Sequence, residues 1–170
     1  MAVKAIAPRA WGSLATAPGS NEALYCAGGA AGFRIWRAAR GWHWSGLLRV
    51  FAGQPDVAIQ HFQTYLRLSP RDRMVTYLNG IGEAYFFSRR FDEAATNLLA
   101  SLDLAPTFPV TYRVLASCYA HMGRLDEARD IVRRLRAIAP AVMEPGTRYR
   151  NPELRELFLS GLRLAASEAS

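Results

Sequence analysis

Leu66-Arg67-Leu68-Ser69-Pro70, Leu102-Asp103-Leu104-Ala105-Pro106 and Arg136-Ala137-Ile138-Ala139-Pro140 are three endings of one pattern. From Pro70 to Pro106 is 36 residues and from Pro106 to Pro140 is 34. A period of this size is the mark of stacked supersecondary units, each burying its apolar face against the next. The longer interval is accounted for by an additional pair, Arg71-Asp72.

Counting back from each proline returns the same residues three times. A small residue stands 24 positions earlier, at Gly46, Gly82 and Ala116, and another 12 positions earlier, at Ala58, Ala94 and Ala128. Between them lie Gly53-Gln54-Pro55-Asp56, Arg89-Arg90-Phe91-Asp92-Glu93 and Gly123-Arg124-Leu125-Asp126-Glu127. Each reads as a tight turn running into a helix start. The acidic residues complement the positive end of the helix dipole, and Pro55 suits a first turn that needs no N–H. The spacing predicts helices over about 37–52, 55–68, 73–88, 91–104, 108–122 and 125–138.

Over residues 37–140 this pattern resembles the tetratricopeptide repeat, with units 37–70, 73–106 and 107–140. Tyr85 and Tyr119 stand at its first-helix aromatic position, where the first unit has Arg49. Ala58, Phe62 and Leu66 follow its second-helix pattern. The resemblance implies an all-α, helical-hairpin solenoid: a right-handed superhelix of about three repeats with a C-terminal capping helix. After the link containing Pro145 and Gly146, Asn151-Pro152-Glu153 reads as N-cap, first-turn proline and early acid. Leu154, Leu157, Phe158, Gly161 and Leu162 then share a helix face, as a cap over the last repeat requires. Residues 141–170 are therefore read as link and cap. Residues 1–36 form an atypical N-terminal segment, either a degenerate helix around Leu24–Phe33 or a flexible lead.

A narrower resemblance rests on Phe51-Ala52-Gly53-Gln54-Pro55-Asp56-Val57-Ala58-Ile59, Gly80-Ile81-Gly82-Glu83-Ala84-Tyr85-Phe86 and Arg155-Glu156-Leu157-Phe158-Leu159-Ser160-Gly161-Leu162-Arg163. These segments are similar to the C-terminal repeat region of bacterial proteins in which a class III adenylate or guanylate cyclase domain, or a winged-helix domain, precedes the repeats. A cyclase holds metal ions at the nucleotide phosphates with paired aspartates on a mixed sheet. No strand-rich segment is read here to carry them, and Asp92 and Asp126 belong to the repeat turns. The resemblance thus implies an interaction module in a bacterial, cytoplasmic setting, not the catalytic half.

The bulk numbers agree with a folded domain: 170 residues, 51% hydrophobic and 21% charged. The net charge of +7 is carried by arginine, with Lys4 the single lysine. Such a balance permits nucleic acid, anionic lipid or an acidic protein as partner. Arg129, Arg133, Arg134 and Arg136 run along one predicted helix, which reads first as a solvated face and second as a docking surface. Cys26 and Cys118 have neither disulfide-framework nor metal spacing, and His43, His61 and His121 are scattered, so no metal or other cofactor is expected. Cys118 and His121 share a helix face but lack an orienting third group, so no catalytic pair is expected. Ala27-Gly28-Gly29-Ala30-Ala31-Gly32 lacks the strand and lysine of a phosphate loop. Trp42 is expected in the core, with the placing of Trp44 left open.

What remains is binding. The first helices of such a stack line its concave side, which places Arg40, His43, Leu47, Phe51, Thr76, Asn79, Glu83, Phe86, Phe87, Arg113, Ser117 and His121 in a partner groove. That mixture suits a peptide or helix laid into the concavity. It lacks the lysine-and-asparagine set with which co-chaperone repeats clamp a C-terminal carboxylate. The expectation is a non-catalytic protein-interaction module without a membrane role. The alternatives are a basic nucleic-acid-associated regulator, binding weakly, and an accessory part of an adenylate cyclase-type signalling protein.

Overall fold

The computed structural model describes residues 29–70, 74–139 and 148–167. Residues 1–28, 71–73, 140–147 and 168–170 lie outside the described residues. Seven helices follow one another there: α1 (Gly29–Phe51), α2 (Pro55–Leu68), α3 (Val75–Phe87), α4 (Phe91–Leu104), α5 (Pro109–His121), α6 (Leu125–Ile138) and α7 (Pro152–Ala166). Helices α1 to α6 form three hairpins, and no strand occurs among the described residues. Helix α1 begins at Gly29, so the boundary drawn at residue 36 falls inside it. No helix breaker beyond Gly32 interrupts Ala30–Ala39, and the helix extends backwards through it.

Each hairpin closes on its small residues. A Cβ added to Gly46 would lie 2.9 Å from the Phe62 ring, and one added to Gly82 would lie 2.8 Å from Leu98 Cγ. Ala58, Ala94, Ala116 and Ala128 are fully buried. Short side chains let the two backbones approach, and Phe62 and Leu98 fill the space left over.

The three turns share one backbone solution. Gly53, Arg89 and Gly123 are left-handed, with φ of 80°, 59° and 76°. The following N–H groups of Gln54, Arg90 and Arg124 return to the carbonyls of Arg49, Tyr85 and Tyr119, so the last orphan acceptors of each first helix are satisfied. In the second and third repeats the arginine then stacks on the aromatic, Arg90 on Tyr85 and Arg124 on Tyr119, each guanidinium 4.5 Å from the ring centre. Both arginines also pair with the glutamate three residues on, Glu93 and Glu127. The first repeat reverses the polarity: Arg49 stands at the aromatic position and donates to Gln54 Oε1 at 2.5 Å.

Successive first helices α1, α3 and α5 touch one another, whereas successive second helices make no comparable contact. The stack therefore curls toward its first helices, and they form the inner face. Helix α7 does not continue this alternation. It packs chiefly on α5 and only secondarily on α6, so the chain turns back over the inner side instead of extending the stack.

Candidate functional site

Eleven of the twelve residues expected in the groove recur at repeat spacing and make columns across the inner face, with Phe86 outside them. One column is Leu47, Glu83 and Ser117, and the next is Phe51, Phe87 and His121, each running from α1 to α3 to α5. Arg40 with Thr76, and His43 with Asn79 and Arg113, lie nearer the helix starts.

The structure separates these residues into three groups. His43, Asn79 and Phe86 are structural. His43 is 1% exposed, with its ring 6.0 Å from that of Phe62 and 5.4 Å from that of Tyr65. Burial, with Arg40 nearby, pushes its pKa down to about 4. Its expected place in the groove is thus corrected: a wide neighbour, Tyr65, draws it between α1 and α2. Asn79 is consumed by the repeat interface, accepting from Thr111 Oγ1 at 2.9 Å and donating to Glu83 Oε1 at 2.7 Å. Phe86 has no exposed surface and packs against Phe91 and His121, which joins the second and third repeats.

A second group remains on the surface of the inner face. Thr76 is exposed, and Arg40, Leu47 and Arg113 are half-buried. Arg40 donates to Met74 Sδ at 3.2 Å.

The third group, Phe51, Glu83, Phe87, Ser117 and His121, is covered by the chain's own C-terminal segment. Tyr149 is 1% exposed and sits among Phe51, Phe87 and Phe158, its ring centre 4.7 Å from that of Phe87. Its hydroxyl donates to Glu83 Oε2 at 3.1 Å, and Arg148 Nη2 reaches Glu83 Oε1 at 3.4 Å. Burial and the Glu83 carboxylate together hold the Tyr149 phenol well above its ordinary range, so it serves as a donor. Arg150 N–H donates to the Phe51 carbonyl at 2.9 Å. Further along, Ser117 Oγ donates to the Phe158 carbonyl at 3.0 Å, and His121 Nε2 lies 2.7 Å from the Leu157 carbonyl. The segment thus crosses the inner face from α1 through α3 to α5, extended first and helical after Pro152.

Gly161 sets how closely α7 approaches. A Cβ there would lie 2.7 Å from His121 Nε2 and nearer still to Ser117 Oγ. Gly161→Leu is therefore expected to lift α7 from α5 while the three hairpins stay folded. The cost of overpacking, about 1–3 kcal/mol, is limited by how firmly the segment is held. Limited proteolysis should then cut within 152–165 and leave the repeats whole, and a protease-resistant tail in that variant would refute the close approach.

Other sequence candidates resolve simply. Cys118 is buried, its thiol donates to the Phe91 carbonyl at 3.2 Å, and burial raises its pKa to about 12, so it is no nucleophile at neutral pH. His121, its supposed base, is turned to the tail instead. Trp42 was expected in the core but is 38% exposed, edge-on to His61 across α1 and α2, while Trp44 is 56% exposed. Along α6, Arg129 pairs with Asp126 at 3.0 Å, and Arg133 and Arg134 both pair with Asp130, at 3.0 and 2.9 Å. Three of the four stripe arginines are thus paired on their own helix through two aspartates, while Glu127 is taken by Arg124. Among the described residues no three histidine, cysteine or acidic side chains gather as a metal site, and no helix is long and apolar enough to cross a membrane.

Two family profiles, both described as tetratricopeptide repeat, match residues 45–107 and residues 88–142. The chain is a tetratricopeptide-repeat protein. Its three hairpins are the repeats, and α7 with the preceding residues is an addition folded back on them. No curated protein shows significant sequence similarity to this tetratricopeptide-repeat chain. Among solved structures it is similar to PcrH in complex with the chaperone binding region of PopB, at 20% identity and a TM-score of 0.55 over 75% of this chain and 94% of that one. It is also similar to MamA, at 21% identity and a TM-score of 0.49 over 66% of this chain and 67% of that one. The PcrH likeness agrees with the helical-hairpin fold of the repeats.

Sequence reasoning missed Arg148 and Tyr149, the two tail side chains that meet Glu83. The one signal available was Glu83, the single charge on a largely apolar helix, which calls for a cation or donors if it is buried.

Proposed function

We propose that this tetratricopeptide-repeat protein is a protein-interaction module that holds a peptide or helix of a partner on its inner face, without catalysis of its own. The observation that carries this reading is the tail itself. An extended stretch followed by a helix lies across α1, α3 and α5, bonded through main-chain groups at Arg150, Leu157 and Phe158. Main-chain bonding is available to any segment of like shape, and the aromatic and polar side chains around it confer selectivity. Three of the four arginines of α6 pair with aspartates of the same helix, which favours a protein partner over the phosphate backbone of nucleic acid. In PcrH, of similar fold, the complex is with a region of another protein, PopB. The likeness to repeat regions that follow cyclase or winged-helix domains adds a setting, a bacterial cytoplasmic signalling assembly in which the groove docks a signalling protein.

The test is selection of displayed peptides against the full chain at about 0.15 M ionic strength. Selected ligands are expected to lose at least roughly tenfold in affinity with Thr76→Arg or Arg113→Glu, as interface anchors do. Ligands indifferent to both substitutions, or sequence-selective binding of nucleic acid at that salt in their place, would overturn the reading.

A further inference from the structure

We infer that the segment Arg148–Ala166 is a built-in competitor for the groove, and that its chemistry describes the partner: a protein segment with a basic residue and tyrosine set on Glu83, followed by a helix carrying a large apolar residue and then glycine. This rests on the proposed interaction role and gives its groove a specificity.

Glu83 is the anchor. It is 2% exposed, and a buried carboxylate is tolerated only when cations and donors surround it. Asn79 supplies one donor from within the stack. Arg148 and Tyr149 supply two more from the tail, and they are joined to each other, Arg148 Nη2 donating to the Tyr149 oxygen at 2.7 Å. A segment that displaces the tail without replacing these groups leaves Glu83 with lost partners at a buried site. Lysine or arginine followed by tyrosine restores them. The rule discriminates by penalty as much as by attraction.

The helical part adds a second requirement. Phe158 comes nine residues after Tyr149 and is fully buried beside it, and Gly161 follows three later. Glycine suits that place best, because a Cβ would force Ser117 Oγ and His121 Nε2 to move away. The bonds that α5 makes to this helix go to carbonyl oxygens of Leu157 and Phe158, which every helix possesses. The recognised pattern is therefore basic–Tyr, eight residues, large apolar, two residues, glycine.

Displacement is physically reasonable for this segment. The segment packs on the stack from one side, and ordering its 19 residues there carries a conformational-entropy cost that opposes its docking. A tethered ligand of this kind lowers the apparent affinity for a competitor in proportion to the open fraction.

The experiment uses the full chain and a fluorescent peptide of residues 148–167. Tyr149→Ala in the chain opens the groove and is expected to tighten binding of the peptide by about tenfold or more over the wild-type chain. Peptides carrying alanine for the arginine-tyrosine pair, or leucine for the glycine, are expected to lose that binding, as is a chain that adds Glu83→Gln. Helical circular dichroism and a cooperative melt verify that each variant is folded. Should Tyr149→Ala fail that check, Arg148→Ala, at a partly exposed side chain, is read in the same way. Equal binding by folded variant and wild type would overturn the proposal, making the tail a permanent part of the fold. So would binding indifferent to the pair and the glycine. Concentration-dependent dimers that exchange tails would also overturn it, by assigning the groove to a second copy. Library ligands of the groove that lack the pattern would sink this inference and leave the interaction role standing.

Discussion

Replacing Phe62 by alanine is expected to lower the unfolding free energy by about 3–5 kcal/mol, the range for truncating a fully buried phenylalanine. The ring has no exposed surface and spans the first two repeats. It lies where a Cβ on Gly46 would be 2.9 Å away and one on Gly80 2.7 Å away, with Tyr77 edge-on at 5.9 Å. Two of its neighbours are thus glycine backbone, which has no side chain to swing into the vacated volume. The cavity should persist, placing the cost toward the upper end. Equilibrium denaturation should show it, and a thermal scan should fall by roughly 10 °C or more. A loss below about 1 kcal/mol would mean that α1 and α2 do not close on this ring.

Acid is expected to weaken the same region before the carboxylates titrate. His43 has its pKa depressed to about 4 in the fold, against 6.5 when exposed. Between those values the unfolded chain binds a proton that the folded chain refuses, so stability rises with pH across the window and is lost as pH falls through it. A shift of this size corresponds to roughly 3 kcal/mol once pH has fallen to the lower value. Within the described residues His43 Nδ1 has no hydrogen-bond partner, which fits a neutral ring held by packing. Urea midpoints measured from about pH 7 to 5 should decline in the wild type and flatten in His43→Leu. Equal slopes would show that this imidazole is open to water.

The inner-face columns contribute to fold and function unequally. Positions nearest the helix ends, Phe51, Phe87 and His121, carry the tail, while His43, Asn79 and Phe86 carry the hairpins. Substitutions in the two sets should therefore separate binding from stability.

The repeat was legible in the sequence because it is written in local spacing. A small residue 24 and 12 positions before each proline places two helices and the turn between them, and three copies in register leave little freedom. The start of α7 was legible for the same reason, since Asn151 caps it by accepting from Glu153 N–H at 2.8 Å. Which of the twelve groove residues would face a ligand was not legible. Repeat position tells that a residue lies on a first helix, but whether it is buried depends on the widths of side chains on two neighbouring elements, as His43 and Phe86 show. Least of all could spacing foretell where the tail goes. Tyr149 meets Glu83 across 66 residues of chain, and Gly161 meets Ser117 across 44, through close fit and a buried charge. Such pairings have no period. They are decided only when the stack has curled and offers one face, with the buried carboxylate of Glu83 on it, to whatever segment can reach it.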